Sequence, residues 1–273
     1  MMRSRLVFLY SGLPTMRNWL LVLALLPVAA LGDEPYEYKQ SNDSLNYLLH
    51  LPAGYADTTE RYPLLIFLHG IGENGNGSEK AIQRVAVHGP FRSMREGAWD
   101  ASLPLIVAGP QLGRLRLWWP RKKVVAVMDD LLASYRVDPR RVYLSGLSIG
   151  GRAAWEIAET APERIAAIIP AGSWADDLRR ECAELDHLGV WAFHGERDRW
   201  IWLRRGRKPV DAMNGCEQPP HAPAHLTVLA DTSHGHWDLV YENRHGDHNA
   251  GADGREYTDI YRWLLSFSLD RVP

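Results

Sequence analysis

The sequence predicts an α/β fold, in which a mostly parallel central sheet of about eight strands is covered by helices on both faces. Two observations lead to this prediction. From Tyr62 onward, strand-like runs alternate with helix-like runs, as in sheets built from successive strand–helix units. The first of these strands contains the continuous apolar run Leu64–Leu68, which is typical of a strand buried on both faces.

The predicted elements follow in chain order, and the first two strands are expected to form an antiparallel edge of the sheet. Strands are predicted at Tyr36–Gln40, Leu45–Leu51, Pro63–Leu68, Leu103–Ala108, Arg141–Ser145, Ile165–Pro170, Val190–His194 and Leu226–Leu229. Helices are predicted near Glu79–His88, Val124–Tyr135, Ile149–Ala161, Pro209–Asn214 and Tyr257–Phe267. No long insertion separates the later strand–helix units, so no large lid domain is predicted.

The N-terminal segment is typical of an export signal. Arg17 precedes an apolar run, Trp19–Leu31, and a small-residue cleavage site ends at Gly32. Residues 1–32 are therefore predicted to be a signal peptide, with Met16 as an alternative start, and residues 33–273 a single domain. The apolar run is short for a membrane span. We expect a periplasmic or secreted protein with no stable membrane insertion after cleavage.

The net charge and the cysteine count indicate which class of partner to expect and whether a disulfide can form. The 273 residues carry a net charge of −2 and are 46% hydrophobic, which fits one large enzyme domain and does not favour a nucleic-acid partner. The two cysteines, Cys182 and Cys216, predict a disulfide in an oxidising compartment. Two free buried thiols are the alternative.

The most informative motif is the pentapeptide Gly146–Gly150, with Ser148 at its centre. It connects a strand-like run to a helix-like run, which is the setting of a nucleophile elbow. A serine hydroxyl attacks only when a base removes its proton and a third group orients that base. In this architecture the partners follow in the order serine, acidic residue, histidine. Asp198 follows a predicted strand, and a later loop carries His234 and His236.

Four segments together resemble the α/β-hydrolase superfamily: Phe67–Glu73, Gly146–Gly151, His194–Asp198 and His234–Trp237. Within it the chain is similar to secreted esterases related to phospholipase/carboxylesterase and dienelactone hydrolase, including predicted peptidases and depolymerase-like esterases. The resemblance runs from about residue 36 to residue 268. It implies an α/β-hydrolase fold and hydrolysis of carboxylic esters through an acyl-enzyme, without a cofactor.

The resemblance also assigns roles to individual residues. Relatives commonly carry a tryptophan three residues after the catalytic histidine, which implies His234 as the base and leaves His236 as the rival. The backbone N–H of Ile149, directly after the nucleophile, is expected to stabilise the oxyanion. The resemblance implies Ile71 as the second donor. His69, in the same loop, is expected to be structural.

The tryptophans predict a substrate wall, because several of the 11 fall in loops after strands on the side of Ser148. We expect substrate contacts from Trp118, Trp119, Trp174 and Trp237. Aromatic, sugar or acyl groups would suit such a wall, so the expected substrate is a small-molecule or polysaccharide-linked ester.

Two other functions stay open. The same serine machinery is compatible with a peptidase. A metal-dependent hydrolase is the less favoured alternative, because the spacing of the C-terminal His/Asp-rich tract fits no established zinc motif and leaves the serine turn unexplained. That tract comprises His234, His236, Asp238, His245, Asp247 and His248.

Overall fold

The central sheet contains each of the predicted strands, with shifted ends. The structure is a computed structural model that describes residues 35–41, 44–176, 184–216 and 220–270. The strands of the sheet are β1 Glu37–Lys39, β2 Tyr47–His50, β3 Tyr62–Leu68, β4 Ile106–Pro110, β5 Val137–Leu147, β6 Ala167–Ala171, β7 Gly189–Gly195 and β8 His225–Leu229.

The eight strands lie in the order β1-β2-β4-β3-β5-β6-β7-β8. β1 and β2 pair antiparallel with each other, β2 pairs antiparallel with β4, and the remaining pairs are parallel. The predicted fold class, including the antiparallel edge, is confirmed. A separate antiparallel pair, which the sequence does not predict, is formed by β9 Asn249–Ala250 and β10 Glu256–Tyr257.

The α-helices depart more from the prediction. They are α1 Glu79–Ile82, α2 Gly89–Arg95, α3 Arg121–Ser134, α4 Ile149–Thr160, α5 Leu203–Asn214, α6 Trp237–Tyr241 and α7 Ile260–Leu264. The predicted helix over residues 79–88 is a single α-helical turn followed by a 3₁₀ segment, Gln83–Val87. Helix α5 begins before Pro209, which lies inside the helix rather than at its first turn. Helices α2 and α6 are not predicted by the sequence.

Helices cover both faces of the sheet because side chains alternate along its strands. On β3, Leu64 and Ile66 face the core that contains residues of α3, α4 and α5. Leu65 and Phe67 face the opposite core, which contains residues of α1, α2, α6 and α7. The continuous apolar character of β3 therefore has the predicted cause, burial on two sides.

The parallel strands place their carboxyl ends at one edge of the sheet. The loops after β3, β5, β7 and β8 leave from that edge, and they carry the residues that the sequence singled out. Within the described part of the chain, no helix has the length and apolar character needed to cross a membrane.

Candidate active site

Ser148 occupies a strained turn between β5 and α4. Its backbone angles are φ 56° and ψ −119°, in a region that non-glycine residues rarely adopt. The two flanking glycines are required by close packing. A Cβ on Gly146 would overlap the backbone of Gly150, and a Cβ on Gly150 would overlap the carbonyl oxygen of Leu68. The sequence thus adopts the predicted sharp strand-to-helix turn.

His234 contacts both predicted partners. Its Nε2 lies 3.1 Å from Ser148 Oγ, and its Nδ1 lies 2.7 Å from Asp198 Oδ2. Because a carboxylate only accepts hydrogen bonds, Nδ1 carries the proton, and Nε2 accepts from the serine hydroxyl. His236, the rival histidine, is exposed at the start of α6. The contacts expected of His234 are present.

Asp198 is held rigidly in the loop after β7. Its carboxylate is fully buried, and Oδ1 accepts hydrogen bonds from the backbone N–H groups of Trp200 and Ile201, both at 2.9 Å. These donors stabilise the negative charge and fix the orientation of the carboxylate, leaving Oδ2 for His234. The arrangement orients the imidazole toward Ser148.

A second buried histidine supports this loop. His194, near the end of β7, places its Nε2 2.7 Å from the carbonyl oxygen of Ile201 and 3.4 Å from Asp198 Oδ2. Burial lowers the pKa of His194, which keeps the ring neutral. Helix α5 approaches so closely that a Cβ on Gly206 would overlap the His194 ring. No local sequence pattern indicates this supporting role, because it depends on contacts with the loop after β7 and with α5.

The loop after β3 lies directly against Ser148. A Cβ placed on Gly70 would lie 3.7 Å from the Cβ of Ser148. Ile71 follows as the first residue of a 3₁₀ turn and is 51% exposed, while Ile149 is the first residue of α4. The two residues named as backbone donors therefore lie at the first positions of a helix and of a 3₁₀ turn next to the serine.

His69 is a buried structural residue at the base of that loop. Its Nε2 accepts a hydrogen bond from the backbone N–H of Leu112 at 2.9 Å, so its Nδ1 carries the proton and donates to the carbonyl oxygen of Gly70 at 2.6 Å. The imidazole thereby joins the loop after β3 to the loop after β4. Burial lowers its pKa to about 4.

The four predicted wall tryptophans differ in exposure. Trp118 is 52% exposed, whereas Trp119, Trp174 and Trp237 are 5%, 7% and 8% exposed. Trp119 donates its indole N–H to the carbonyl oxygen of His69 at 3.2 Å. Trp119 therefore supports the loop after β3, and Trp118 is the one of these four rings with a large solvent-exposed surface.

The remaining aromatic contacts surround the imidazole of His234. The Trp237 ring packs edge-on against it with a centroid distance of 5.0 Å. The Trp200 ring stacks on it at 6.5 Å and is 86% exposed. Trp237 therefore braces the histidine from inside, and Trp200 covers it from the solvent side.

Arg152 also lies at this site, although no sequence motif singles it out. It lies in the first turn of α4, with its backbone N–H bonded to the carbonyl oxygen of Ser148. Its guanidinium lies 4.6 Å from the ring centroid of Trp118 and 5.2 Å from that of Trp174. The only sequence feature that indicates a place for Arg152 at this site is its position four residues after Ser148, on the helix that begins at the turn.

The side chains of the His/Asp-rich tract make separate contacts with different partners. Asp247 accepts hydrogen bonds from His225 and Thr227, and Asp238 pairs with Arg244. Among the described residues, no three His, Cys, Asp or Glu side chains are grouped so that they could hold a metal ion. This distribution does not favour the metal-dependent alternative.

Two sequence predictions fall partly or wholly outside the described residues. The predicted signal peptide, residues 1–32, and Cys182 belong to segments that are not described, whereas Cys216 lies just after α5. The disulfide between Cys182 and Cys216 and the export signal therefore remain predictions.

The fold is similar to that of solved hydrolase structures. A thermostable esterase superposes with a TM-score of 0.60 at 23% identity, covering 85% of this chain and 62% of the other. This chain thus spans less than two thirds of that protein. No protein-family model matches the sequence, and no curated protein is similar to it at a significant level.

Two further structures show the same relationship over most of their length. The feruloyl esterase module from Clostridium thermocellum, complexed with sinapinate, gives a TM-score of 0.58 at 16% identity, covering 85% of this chain and 86% of the module. An S-formylglutathione hydrolase from Staphylococcus aureus gives 0.54 at 15% identity, covering 77% and 93%. Because the sequence identities are below 25%, the likeness establishes the α/β-hydrolase fold alone.

Proposed function

We propose that the protein is a serine hydrolase that cleaves carboxylic esters, with Ser148 as nucleophile, His234 as base and Asp198 as the residue that orients the base. The observation that carries this proposal is the unbroken chain of hydrogen bonds from the serine hydroxyl to the buried carboxylate, 3.1 Å and 2.7 Å long.

The reaction follows from the protonation states. Ser148 Oγ attacks the ester carbonyl carbon while its proton passes to His234 Nε2, and the resulting imidazolium is stabilised by Asp198. The tetrahedral intermediate collapses when the carbon–oxygen bond to the alcohol breaks, and His234 returns the proton to the departing alkoxide. Water then attacks the acyl-enzyme by the same route and releases the acid.

The negative charge on the intermediate requires donors close to Ser148. We assign these to the backbone N–H groups of Ile149 and Ile71, because Ile149 begins helix α4 directly after the serine and Ile71 begins the 3₁₀ turn of the loop that lies against it. The strained backbone of Ser148 supports the same assignment, since it fixes the hydroxyl relative to these donors before substrate arrives.

The acyl group is proposed to lie against Trp118. Its ring is half exposed, and the guanidinium of Arg152 fixes its position. Aromatic acyl groups suit such a flat surface. Three similar structures carry the name feruloyl or ferulic acid esterase, which supports an aromatic acyl ester as the first substrate to test.

Export is proposed on the sequence alone. Residues 1–32 have the pattern of a signal peptide, and a periplasmic or secreted location would allow the disulfide between Cys182 and Cys216. An external location also suits a polysaccharide-linked ester, which stays outside the cell.

A matched pair of histidine variants tests the proposed function. His234→Ala is expected to lower kcat for p-nitrophenyl acetate and methyl ferulate by about 10⁴-fold, because Ser148 loses its base. His236→Ala, a change of the same size two residues away, is expected to keep most of the activity. Equal losses in both variants, or a larger loss in His236→Ala, would contradict the assignment.

A further inference from the structure

A second concave surface is formed by segments that adjoin, in sequence, the loops of the candidate active site. It is a groove of about 470 Å³ between the start of β2, the loop after β3 and the loop after β4. Asn46, Asn76, Arg114, Leu115 and Arg116 are among the residues that line it. We call it the arginine groove.

The floor of the arginine groove is rigid. The Gln111 side chain is 3% exposed, and its Nε2 donates to the carbonyl oxygens of Glu73 and Ala81 at 3.1 Å and 2.7 Å. Its Oε1 accepts from the backbone N–H of Gly77 at 3.0 Å. A Cβ on Gly75 would overlap the amide group of Gln111, so glycine is required there.

The wall that carries the arginines is also fixed. Asn74 donates a hydrogen bond from Nδ2 to the carbonyl oxygen of Arg116 at 2.7 Å. The backbone N–H of Arg116 closes a turn onto the carbonyl oxygen of Gly113 at 2.9 Å, and the N–H of Gly75 bonds to the carbonyl oxygen of Leu112 at 3.0 Å. The groove therefore exists before any ligand binds.

The lining of the groove carries two positive charges, and the Asp130 carboxylate accepts a hydrogen bond from the Ser44 hydroxyl at its edge at 2.9 Å. In the described part of the chain, neither Arg114 nor Arg116 has a carboxylate oxygen within 4.0 Å. Arg140, by contrast, pairs with Asp270, whereas Arg204 and Arg207 resemble the groove arginines in having no such partner among the described residues. The described lining contains no Asp or Glu. Two free guanidiniums above amide and backbone groups suit a carboxylate-bearing ligand that also has hydroxyls.

Two short chain segments connect the arginine groove with residues around Ser148. Ile71 and Gly75 are four residues apart, so their Cα atoms lie at most about 14 Å from each other. In the loop after β4, Trp118 follows Arg116 by two residues. The ring of Trp118 packs against the guanidinium of Arg152, which lies in the first turn of α4, directly after Ser148. These short chain separations are the basis for assigning the groove and the serine to one extended ligand.

We propose that the arginine groove binds the chain of a uronate-containing polysaccharide and that the ester to be cleaved is carried on this chain. The position of the ester in this proposal rests on the proposed function, whereas binding of the chain does not. Leu115, which is 95% exposed, gives an apolar contact for a sugar ring.

Binding is tested without catalysis. Polygalacturonate is titrated into Ser148→Ala protein with and without Arg114→Gln plus Arg116→Gln, by calorimetry at low and high salt. The double change is expected to weaken binding about tenfold at low salt, because two exposed charge-assisted contacts are lost. High salt is expected to remove most of the difference. Arg95→Gln plus Arg255→Gln, outside the groove, alters net charge equally and is expected to bind normally.

Catalysis is tested separately with the wild-type serine. On acetylated polygalacturonate, Arg114→Gln plus Arg116→Gln is expected to lower kcat/KM about tenfold through KM, with p-nitrophenyl acetate hydrolysis unchanged. If wild-type protein hydrolyses no ester, the proposed function fails, and the binding experiment still shows whether the groove binds a uronate chain.

Equal binding of polygalacturonate by groove and control variants would overturn the proposal. Arginine-dependent binding to phosphatidylglycerol vesicles, without binding to polygalacturonate, would also overturn it.

Discussion

Acidification is expected to destabilise the fold through His69, which joins the loops after β3 and β4. Its neutral ring accepts from the backbone N–H of Leu112 and donates to the carbonyl oxygen of Gly70. A second proton on Nε2 would face the Leu112 N–H donor in a fully buried site. Burial also raises the pKa of Glu73, 3.9 Å from Nδ1, which reduces the negative charge available to offset that proton. Burial accordingly lowers the pKa of His69 from 6.5 to about 4 in the folded protein.

The size of this effect follows from the two pKa values. The unfolded chain binds the proton at a higher pH than the folded protein does, so stability is fully present above about pH 6.5 and is lost as the pH falls toward 4. Linkage then gives a loss of about 2 kcal/mol between about pH 8 and about pH 5, approaching about 3 kcal/mol below pH 4.

Urea unfolding of the wild type and of His69→Gln at about pH 8 and about pH 5 measures this loss in the free energy of unfolding. Glutamine retains an acceptor near the position of Nε2 and does not titrate. Other buried histidines with lowered pKa values, such as His194, contribute equally to both proteins. The wild type is expected to lose about 2 kcal/mol more than the variant. An equal loss in both proteins would refute the reasoning.

Three further predictions concern the site and its surroundings. Asp198→Asn is expected to lower kcat about 10⁴-fold with an unchanged circular dichroism spectrum, because an amide no longer holds His234 in the required tautomer; near-normal turnover would contradict this role. Trp118→Ala is expected to raise KM for methyl ferulate about tenfold and to leave p-nitrophenyl acetate nearly unaffected, since only the aromatic acyl group needs the ring; equal effects on both esters would argue against an acyl wall. Thiol counting on unreduced, denatured protein is expected to find no free thiol if Cys182 and Cys216 are bridged, and two thiols would rule the bridge out.

The sequence predicted the sheet better than the helices, for a physical reason. Strands such as β3 are long apolar runs buried on two sides, and their pattern is visible locally. Helices α2 and α6 have seven and five residues, too short for a clear period. The helix predicted over Pro209–Asn214 begins at Leu203 instead, so tertiary packing overrides the low helix propensity of proline in a helix interior.

The same contrast holds at the candidate site. The turn at Ser148 could be predicted because its steric requirement fixes the glycines around it. The order of the chain then suggested Asp198 and His234, which the structure brings into contact. Arg152 could not be assigned, because its contacts come from loops that are distant in sequence.

The most direct test of the proposed function is labelling with a fluorophosphonate, followed by mass spectrometry of the digested protein. The reagent forms a stable bond only with an activated serine. We predict one adduct, on the peptide that contains Ser148, with loss of ester hydrolysis in proportion to labelling and no adduct in Ser148→Ala. Folded wild-type protein that hydrolyses esters while Ser148 stays unlabelled would contradict the assignment of this serine as the nucleophile.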